Sequence, residues 1–305
     1  MKVELVHRKA IDAERWDQVI SESLAETLYP YSWYLDAAAE NWSALVADNY
    51  RFIMPLVWKK KYGLRYLYQP FYTQQLGVFS KEHVDPEVIT SMLFMLPSRF
   101  RFASINFNIK NLVGEKDHFK AEDKANYILD LSPSYEEIFS SFSTNARRNI
   151  KRAYEIDDEV DTKVSIEELL AFKRKNDVLK RSEEEYRWLQ NLLETVSERS
   201  TGIIYGARVE NQLVAAAFFA FSKSRAIYLV SASNETGKEN RSMFKLVDSF
   251  IKAFAGSELV LDFEGSNIPS VARFFGGFGA RPEIYQNLSY SRLPAFLNRI
   301  KSHGK

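Results

Sequence analysis

The sequence predicts a mixed α/β protein in which one folding unit occurs twice, each copy a mostly antiparallel sheet with helices on both faces. Three observations carry this. Residues 47–69 (ADNYRFIMPLVWKKKYGLRYLYQ) lie without a gap over residues 209–231 (VENQLVAAAFFAFSKSRAIYLVS), so that Asn49 falls on Asn211, Lys61 on Lys223, Tyr66 on Tyr228 and Leu67 on Leu229. Both stretches read strand, two-residue turn, long strand, charged turn, strand, and a repeat of this kind sets the architecture before any single element does. A helical pattern follows each: Val88, Ile89, Met92, Leu93 and Leu96 in the first copy, and Met243, Leu246, Val247, Phe250, Ile251 and Phe254 in the second, at the spacing of one helix face. A short strand follows each helix, SINFNI (104–109) and LVLDFEG (259–265), and Ile105-Asn106-Phe107-Asn108 lies over Leu261-Asp262-Phe263-Glu264.

The remaining elements fall into the same order. Helical patterns open the first half at residues 16–23 and 33–41, and the second half at 144–154, 166–174 and 183–198. A last strand closes each half, NYILDL (126–131) and IYQNLSYS (284–291), and Ser132-Pro133-Ser134 marks the boundary. The expected domains are therefore residues 1–132 and 133–305, each running helices, three-stranded meander, helix, strand, short helical segment and final strand.

Composition narrows the chemistry. Hydrophobic residues at 46% and charged residues at 27% describe a soluble globular chain. The longest apolar run, residues 213–221, is too short to cross a bilayer. With no apolar leader segment at the N-terminus, the expected location is the cytoplasm. There is no cysteine, which removes disulfides, thiolate metal sites and cysteine nucleophiles. The four histidines His7, His83, His118 and His303 have no metal-ligand spacing, and neither a P-loop, a GxSxG elbow nor a GxGxxG turn occurs. A net charge of +1 argues against a partner in duplex DNA.

Against that neutral background, STNARRNIKRAYEI (143–156) holds Arg147, Arg148, Lys151 and Arg152 within six positions. On a helix, Arg147 with Lys151 and Arg148 with Arg152 are like-charge i, i+4 pairs, which cost an isolated helix about 0.2–0.5 kcal/mol each. A merely solvated face mixes signs, and here Glu155, Asp157 and Asp158 come only afterwards. Arg147, Arg148 and Lys151 are expected to bind the phosphates or carboxylates of a substrate; a clamp to acidic groups of the first half is the alternative. Asp262 and Glu264 would share one face of a strand inside a sheet that should otherwise be apolar. That arrangement suits a general base, unless Asp262 pairs with an arginine and Glu264 leaves the sheet.

ARRNIKRA (146–153) and LDFEGSNIPSVARFFGGFG (261–279) resemble the arginine-rich helix and the "YDFxG … FKxGFG" segment of the Fem-type peptidoglycan bridge-forming aminoacyl transferases, which carry a doubled GNAT acyltransferase fold. QPFYTQQLG (69–77) is a third, weaker likeness. The resemblance implies two tandem GNAT-like domains, the second carrying the active site. It implies an N-acyltransferase that moves an aminoacyl or small acyl group to an amine, as in a peptidoglycan precursor. No tightly bound cofactor is implied; the donor is an aminoacyl-tRNA or an acyl-CoA. The acceptor is an anionic small molecule or glycopeptide. Phe275 stands where the family typically has Lys, a lost cation that counts against a tRNA donor, and the coiled-coil insertion of some members is missing. Catalytic duty falls on Asp262 and Glu264, with Gln69 and Tyr72 as further substrate contacts. The backbone of the strand at 226–231, ending in Ser231, is expected to polarise the donor carbonyl. The loop SNETGKENR (233–241) supplies Gly237, Lys238 and Arg241 for the donor's anionic part, at a helix N-terminus. Two readings stay open beside this one: an acyl-CoA-dependent N-acetyltransferase acting on another amine, and a non-catalytic module that binds an anionic glycopeptide.

Overall fold

The computed structural model describes residues 1–113, 119–156, 159–177, 180–265 and 268–292. The first half runs β1 (Val3–His7), a 3-10 turn (Arg8–Ala10), α1 (Ala13–Ser21), α2 (Ser32–Ala38), β2 (Trp42–Ala47), β3 (Phe52–Lys61), β4 (Leu64–Leu67), α3 (Pro86–Phe94), β5 (Phe100–Asn106) and β6 (Lys120–Asp130). The second runs α4 (Tyr135–Ser140), α5 (Thr144–Tyr154), β7 (Glu159–Asp161), α6 (Ile166–Lys175), α7 (Glu183–Arg199), β8 (Thr201–Val209), β9 (Gln212–Phe221), β10 (Arg225–Ser233), α8 (Glu235–Glu239), α9 (Ser242–Phe254), β11 (Val260–Gly265), α10 (Pro269–Gly277) and β12 (Arg281–Ser291).

Local chemistry starts the helices where the sequence places them. The side chains of Asp12, Ser134, Ser143, Ser165 and Ser182 each accept a hydrogen bond from a backbone N–H of the first turn, and such a cap is worth about 1 kcal/mol. Ser134 with Glu137 and Ser182 with Glu185 form full capping boxes. The aligned turns also match. Asn49 and Asn211 both sit in the left-handed region, at φ 59° and 64°, which asparagine tolerates better than most residues.

The duplication is explicit in the strand pairing. In the first unit the order is β1-β2-β3-β4-β5-β12, and in the second β7-β8-β9-β10-β11-β6. The fourth and fifth strands are parallel in both units, and the other pairs with a recorded register are antiparallel. The expected boundary at 132/133 differs from the observed division. The compact units are Met1–Lys124 with the segment from Ile284 onward, and Ala125–Glu283. The reason is an exchange of final strands: β12 pairs with β5 through Asn287↔Asn106 to Ser291↔Phe102, whereas β6 pairs with β11 through Asp130↔Val260 to Ile128↔Asp262.

In the second unit, aromatic stacking fixes α9 on the sheet. Phe219 of β9 lies 3.8 Å from Phe250 of α9 at an interplanar angle of 11°, with Tyr205 edge-on to both. Phe218 serves the opposite face: a Cβ on Gly202 would meet its ring at 2.4 Å and the Ser197 hydroxyl of α7 at 3.0 Å. Helices thus cover both faces, as expected. In the segment FFGGFG, Gly276 and Gly277 end α10, and the turn into β12 comes at Gly279, φ 77°. Phe275 and Phe278 are core residues, stacked on Phe263. Among the described residues no helix is long and apolar enough to cross a membrane.

Candidate functional site

The parallel ladder between β10 and β11 is short. It runs Arg225↔Val260, Ala226↔Leu261 and Ile227↔Asp262 and ends there. Both strands lose register at the same level. β10 bulges against β9 between Tyr228 and Val230, and β11 shifts against β6 between Asp262 and Gly265. Of the two residues in that second irregularity, Glu264 has φ 56°, a conformation that costs a non-glycine residue of the order of 1 kcal/mol and persists where the surroundings impose it. Past Ile227, β10 therefore presents backbone that the β11 ladder does not take up. One of its carbonyls has a side-chain partner: Lys173 Nζ of α6 donates to the Ser231 oxygen at 2.9 Å. Burial, reinforced by Arg181 and opposed by Asp177, pushes the Lys173 ammonium below the usual lysine range.

Asp262 and Glu264 do not form the free carboxylate pair that strand alternation suggested. Asp262 is 2% exposed. Its Oδ2 accepts from Arg225 Nη1 at 2.8 Å, and its Oδ1 accepts the Glu264 N–H at 2.9 Å. Arg225 also reaches Glu283 at 3.4 Å. Both oxygens of Asp262 are thus engaged, while the positive φ turns Glu264 out of the strand alternation. Ser266 and Asn267, next along the chain, lie outside the described residues.

The basic helix α5 buries Ala146, Asn149, Ile150 and Ala153 and exposes Arg147, Arg148, Lys151 and Arg152. Arg148 Nη2 donates to Asn145 Oδ1 at 2.9 Å, and Arg147 reaches the Ser140 carbonyl at 3.5 Å. Among the described residues none of the four makes an ion pair; Asp157 and Asp158 lie outside them. The two stretches that carry the Fem resemblance meet here. The Ser143 N–H donates to the Gly277 carbonyl at 2.9 Å, and a Cβ on Gly277 would sit 3.4 Å from that of Ala146. Phe142 is edge-on to Phe278 at 5.3 Å.

A buried carboxylate holds the other end of α5. Asp248 of α9, 1% exposed, accepts from the Tyr135 hydroxyl at 2.8 Å and from the Tyr154 hydroxyl at 3.0 Å. Lys245, also buried, lies over the Tyr154 ring at 5.2 Å. Burial raises the Asp248 carboxyl above its ordinary value, more than the two hydroxyls lower it.

The segment 233–241 is not the open loop expected. It folds into α8, and the N–H groups of Gly237, Lys238, Asn240 and Arg241 are all spent within 234–241. Gly237 is required by packing, since a Cβ there would lie 2.2 Å from the Val214 carbonyl oxygen of β9. Lys238 pairs with Glu235 at 2.6 Å, and Arg241 Nη1 donates to the Lys238 carbonyl at 2.5 Å. Gln69 and Tyr72 belong to the first unit and close a turn there. Gln69 Nε2 donates to the Thr73 carbonyl at 2.6 Å and its Oε1 accepts the Asn106 N–H at 3.0 Å, while the Tyr72 carbonyl accepts from Tyr34.

Sequence reasoning missed Lys173 and Asp248. The signal for Lys173 was its place on the helix face of Leu169 and Leu170, where a lysine needs a partner. Asp248 carried a weaker one, a lone acid one turn before Lys252.

No protein-family model matches the chain, and no curated protein matches it. Solved structures do. FemX superposes with a TM-score of 0.64 at 12% identity, over 93% of this chain and 96% of that one. A tandem GNAT protein from the clavulanic acid biosynthesis pathway gives 0.54 at 10% identity, over 96% and 100%. A GNAT-family acetyltransferase from Colwellia psychrerythraea gives 0.52 at 12% identity, over 95% and 99%. At such identities the likeness is one of fold, and it agrees with the repeated strand order. The chain has the Fem-like, doubled GNAT fold.

Proposed function

We propose that the protein is an N-acyltransferase that moves an aminoacyl or small acyl group to an amine, the acceptor being an anionic, peptidoglycan-precursor-like molecule. The observation that carries the reading is the early end of the β10–β11 ladder, which leaves fixed backbone dipoles of β10 available beside Glu264. Fixed N–H groups aimed at a developing oxyanion are the largest single contribution such a site can make. The acceptor amine attacks the donor carbonyl carbon, a C–N bond forms, and the ester C–O or thioester C–S bond breaks. The amine gives up a proton toward Glu264, and the leaving oxygen or sulfur departs as alcohol or thiol after protonation. Asp262 keeps a positioning role: it holds the Glu264 backbone through its N–H and ties β11 to β10 through Arg225. Arg147, Arg148 and Lys151 hold the acceptor's anionic groups.

The N–H groups of Gly237, Lys238, Asn240 and Arg241 are taken within 234–241, so a pyrophosphate, which needs unspent N–H groups, would have to use others; the assay decides between an aminoacyl ester and a CoA thioester. The test is a mass-spectrometric turnover assay with aminoacyl-tRNA or acetyl-CoA as donor and a nucleotide-linked muropeptide as acceptor, alongside thermal shifts with each alone. Product from aminoacyl-tRNA supports the reading. Product from acetyl-CoA alone moves the protein to the CoA-using class. Muropeptide binding without product from either donor leaves the glycopeptide-binding module as the better account.

A further inference from the structure

The first unit carries a basic, apolar-tipped end that the transferase reading does not use. Residues 58–66 (WKKKYGLRY) hold Lys59, Lys60, Lys61 and Arg65 and no acid; residues 97–102 (PSRFRF) add Arg99 and Arg101, again without an acid. The fold concentrates them. Lys60 lies directly opposite Arg65 across the β3–β4 hairpin, a like-charge pairing that works against the sheet. Arg65 in turn pairs with Phe100 of the parallel neighbour β5, which sets Arg99 beside Arg65. Burial, with Arg65 adding repulsion, lowers the Arg99 guanidinium. The Arg99 Nε is buried without a hydrogen-bond partner among the described residues. No ion pair among the described residues involves Lys60, Lys61, Arg65, Arg99 or Arg101.

The same end exposes apolar side chains. Tyr62, at the hairpin tip, is 92% exposed and has φ 50°, an outlying conformation for a bulky residue. Leu64 follows it at 39%. Phe94 and Met95, 69% and 52% exposed, end α3 just before the turn that leads through Arg99 into β5. Single exposed apolar residues are ordinary, but a group of them rimmed by one sign of charge marks an interaction surface.

We propose that the β3–β4 hairpin and the α3–β5 turn dock the protein on an anionic lipid surface. Cations in excess of acids match anionic headgroups, and Tyr62, Leu64, Phe94 and Met95 enter the boundary between headgroups and acyl chains, as peripheral anchors do. RNA fits the charge and could stack on Tyr62 and Phe94, but it leaves the aliphatic Leu64 and Met95 exposed, whereas a lipid boundary buries all four. The proposal is independent of the reaction the second unit performs.

Cosedimentation with vesicles tests it. The full chain should pellet with phosphatidylglycerol-containing vesicles and stay in solution with phosphatidylcholine vesicles. The double variant Lys60→Glu, Lys61→Glu should lower partitioning at least about tenfold, given roughly fivefold per cation near the surface. The variant Tyr62→Ser, Leu64→Ser should lower it as well, although no charge changes. Circular dichroism melts of both variants should match the wild type, as exposed positions allow. Equal binding to neutral vesicles, no binding to anionic ones, or full retention by the Tyr62→Ser, Leu64→Ser variant overturns the proposal. So does a single-stranded RNA homopolymer binding the hairpin in the absence of any lipid binding.

Discussion

Arg225 Nη1 donates to Asp262 Oδ2 at 2.8 Å, joining the first rung of the β10–β11 ladder to its last. The pair fastens the two strands immediately before they part. With the two side chains 17% and 3% exposed, removing Arg225 leaves a largely desolvated Asp262 carboxylate without its ion-pair partner and with the Glu264 N–H as its remaining described hydrogen bond, which costs about 3–5 kcal/mol. Arg225→Met is expected to lower the unfolding free energy by about that amount in urea melts. Arg225→Met with Asp262→Leu should recover most of the loss, because an apolar pair replaces an ionic one at little cost.

Asp248 makes a pH-dependent prediction. Its folded pKa is raised by burial, so between the unfolded carboxylate value, about 3.9, and the raised folded value the native state binds more protons than the unfolded chain. Stability from this group therefore falls as pH rises through that window. Asp248→Asn removes the term. The variant should gain on the wild type as pH rises from about 4 toward 7, read as the difference between urea midpoints. A difference that stays constant with pH would contradict the buried charge.

The exposed face of α5 should separate binding from folding. Arg148→Glu converts a like-charge i, i+4 pair with Arg152 into an opposite one, worth about 0.2–0.5 kcal/mol in the helix's favour. Thermal stability should hold or rise slightly, while the KM for an anionic acceptor rises at least about tenfold, as loss of a hydrogen bond to a charged group implies. Unchanged KM would return the helix to a solvated surface.

Gly237→Ala tests what that glycine is for. The added methyl meets the Val214 carbonyl at 2.2 Å, so α8 must move from β9 at a cost of about 1–3 kcal/mol. A variant of unaltered stability but weakened donor binding would instead make Gly237 a ligand contact.

Periodicity and repetition made most of the architecture legible. The aligned asparagines and the helix faces are local signals, and each is found where the sequence puts it, whereas the short helix α4 was not among the expected elements. The strand exchange was not legible, since NYILDL and IYQNLSYS look alike whichever sheet they join. At the site, the cations of α5 were visible because their exposure is set by helix geometry alone. The engagement of Asp262 depends on Arg225, which lies in another strand, and the positive φ of Glu264 breaks the alternation that paired it with Asp262. Gly237 reads as a loop glycine until the approach of Val214 is known. These are long-range facts, and no window of sequence contains them.

Acyl transfer at the opening between β10 and β11, with Glu264 receiving the proton, is tested by kcat for Glu264→Gln, with Glu264→Gly as a control that relieves the φ 56° backbone. Positioned proton transfer contributes about 10²–10⁴-fold. Both variants should lose at least about 100-fold in kcat with no loss of melting temperature. Full turnover by both would contradict that role for Glu264.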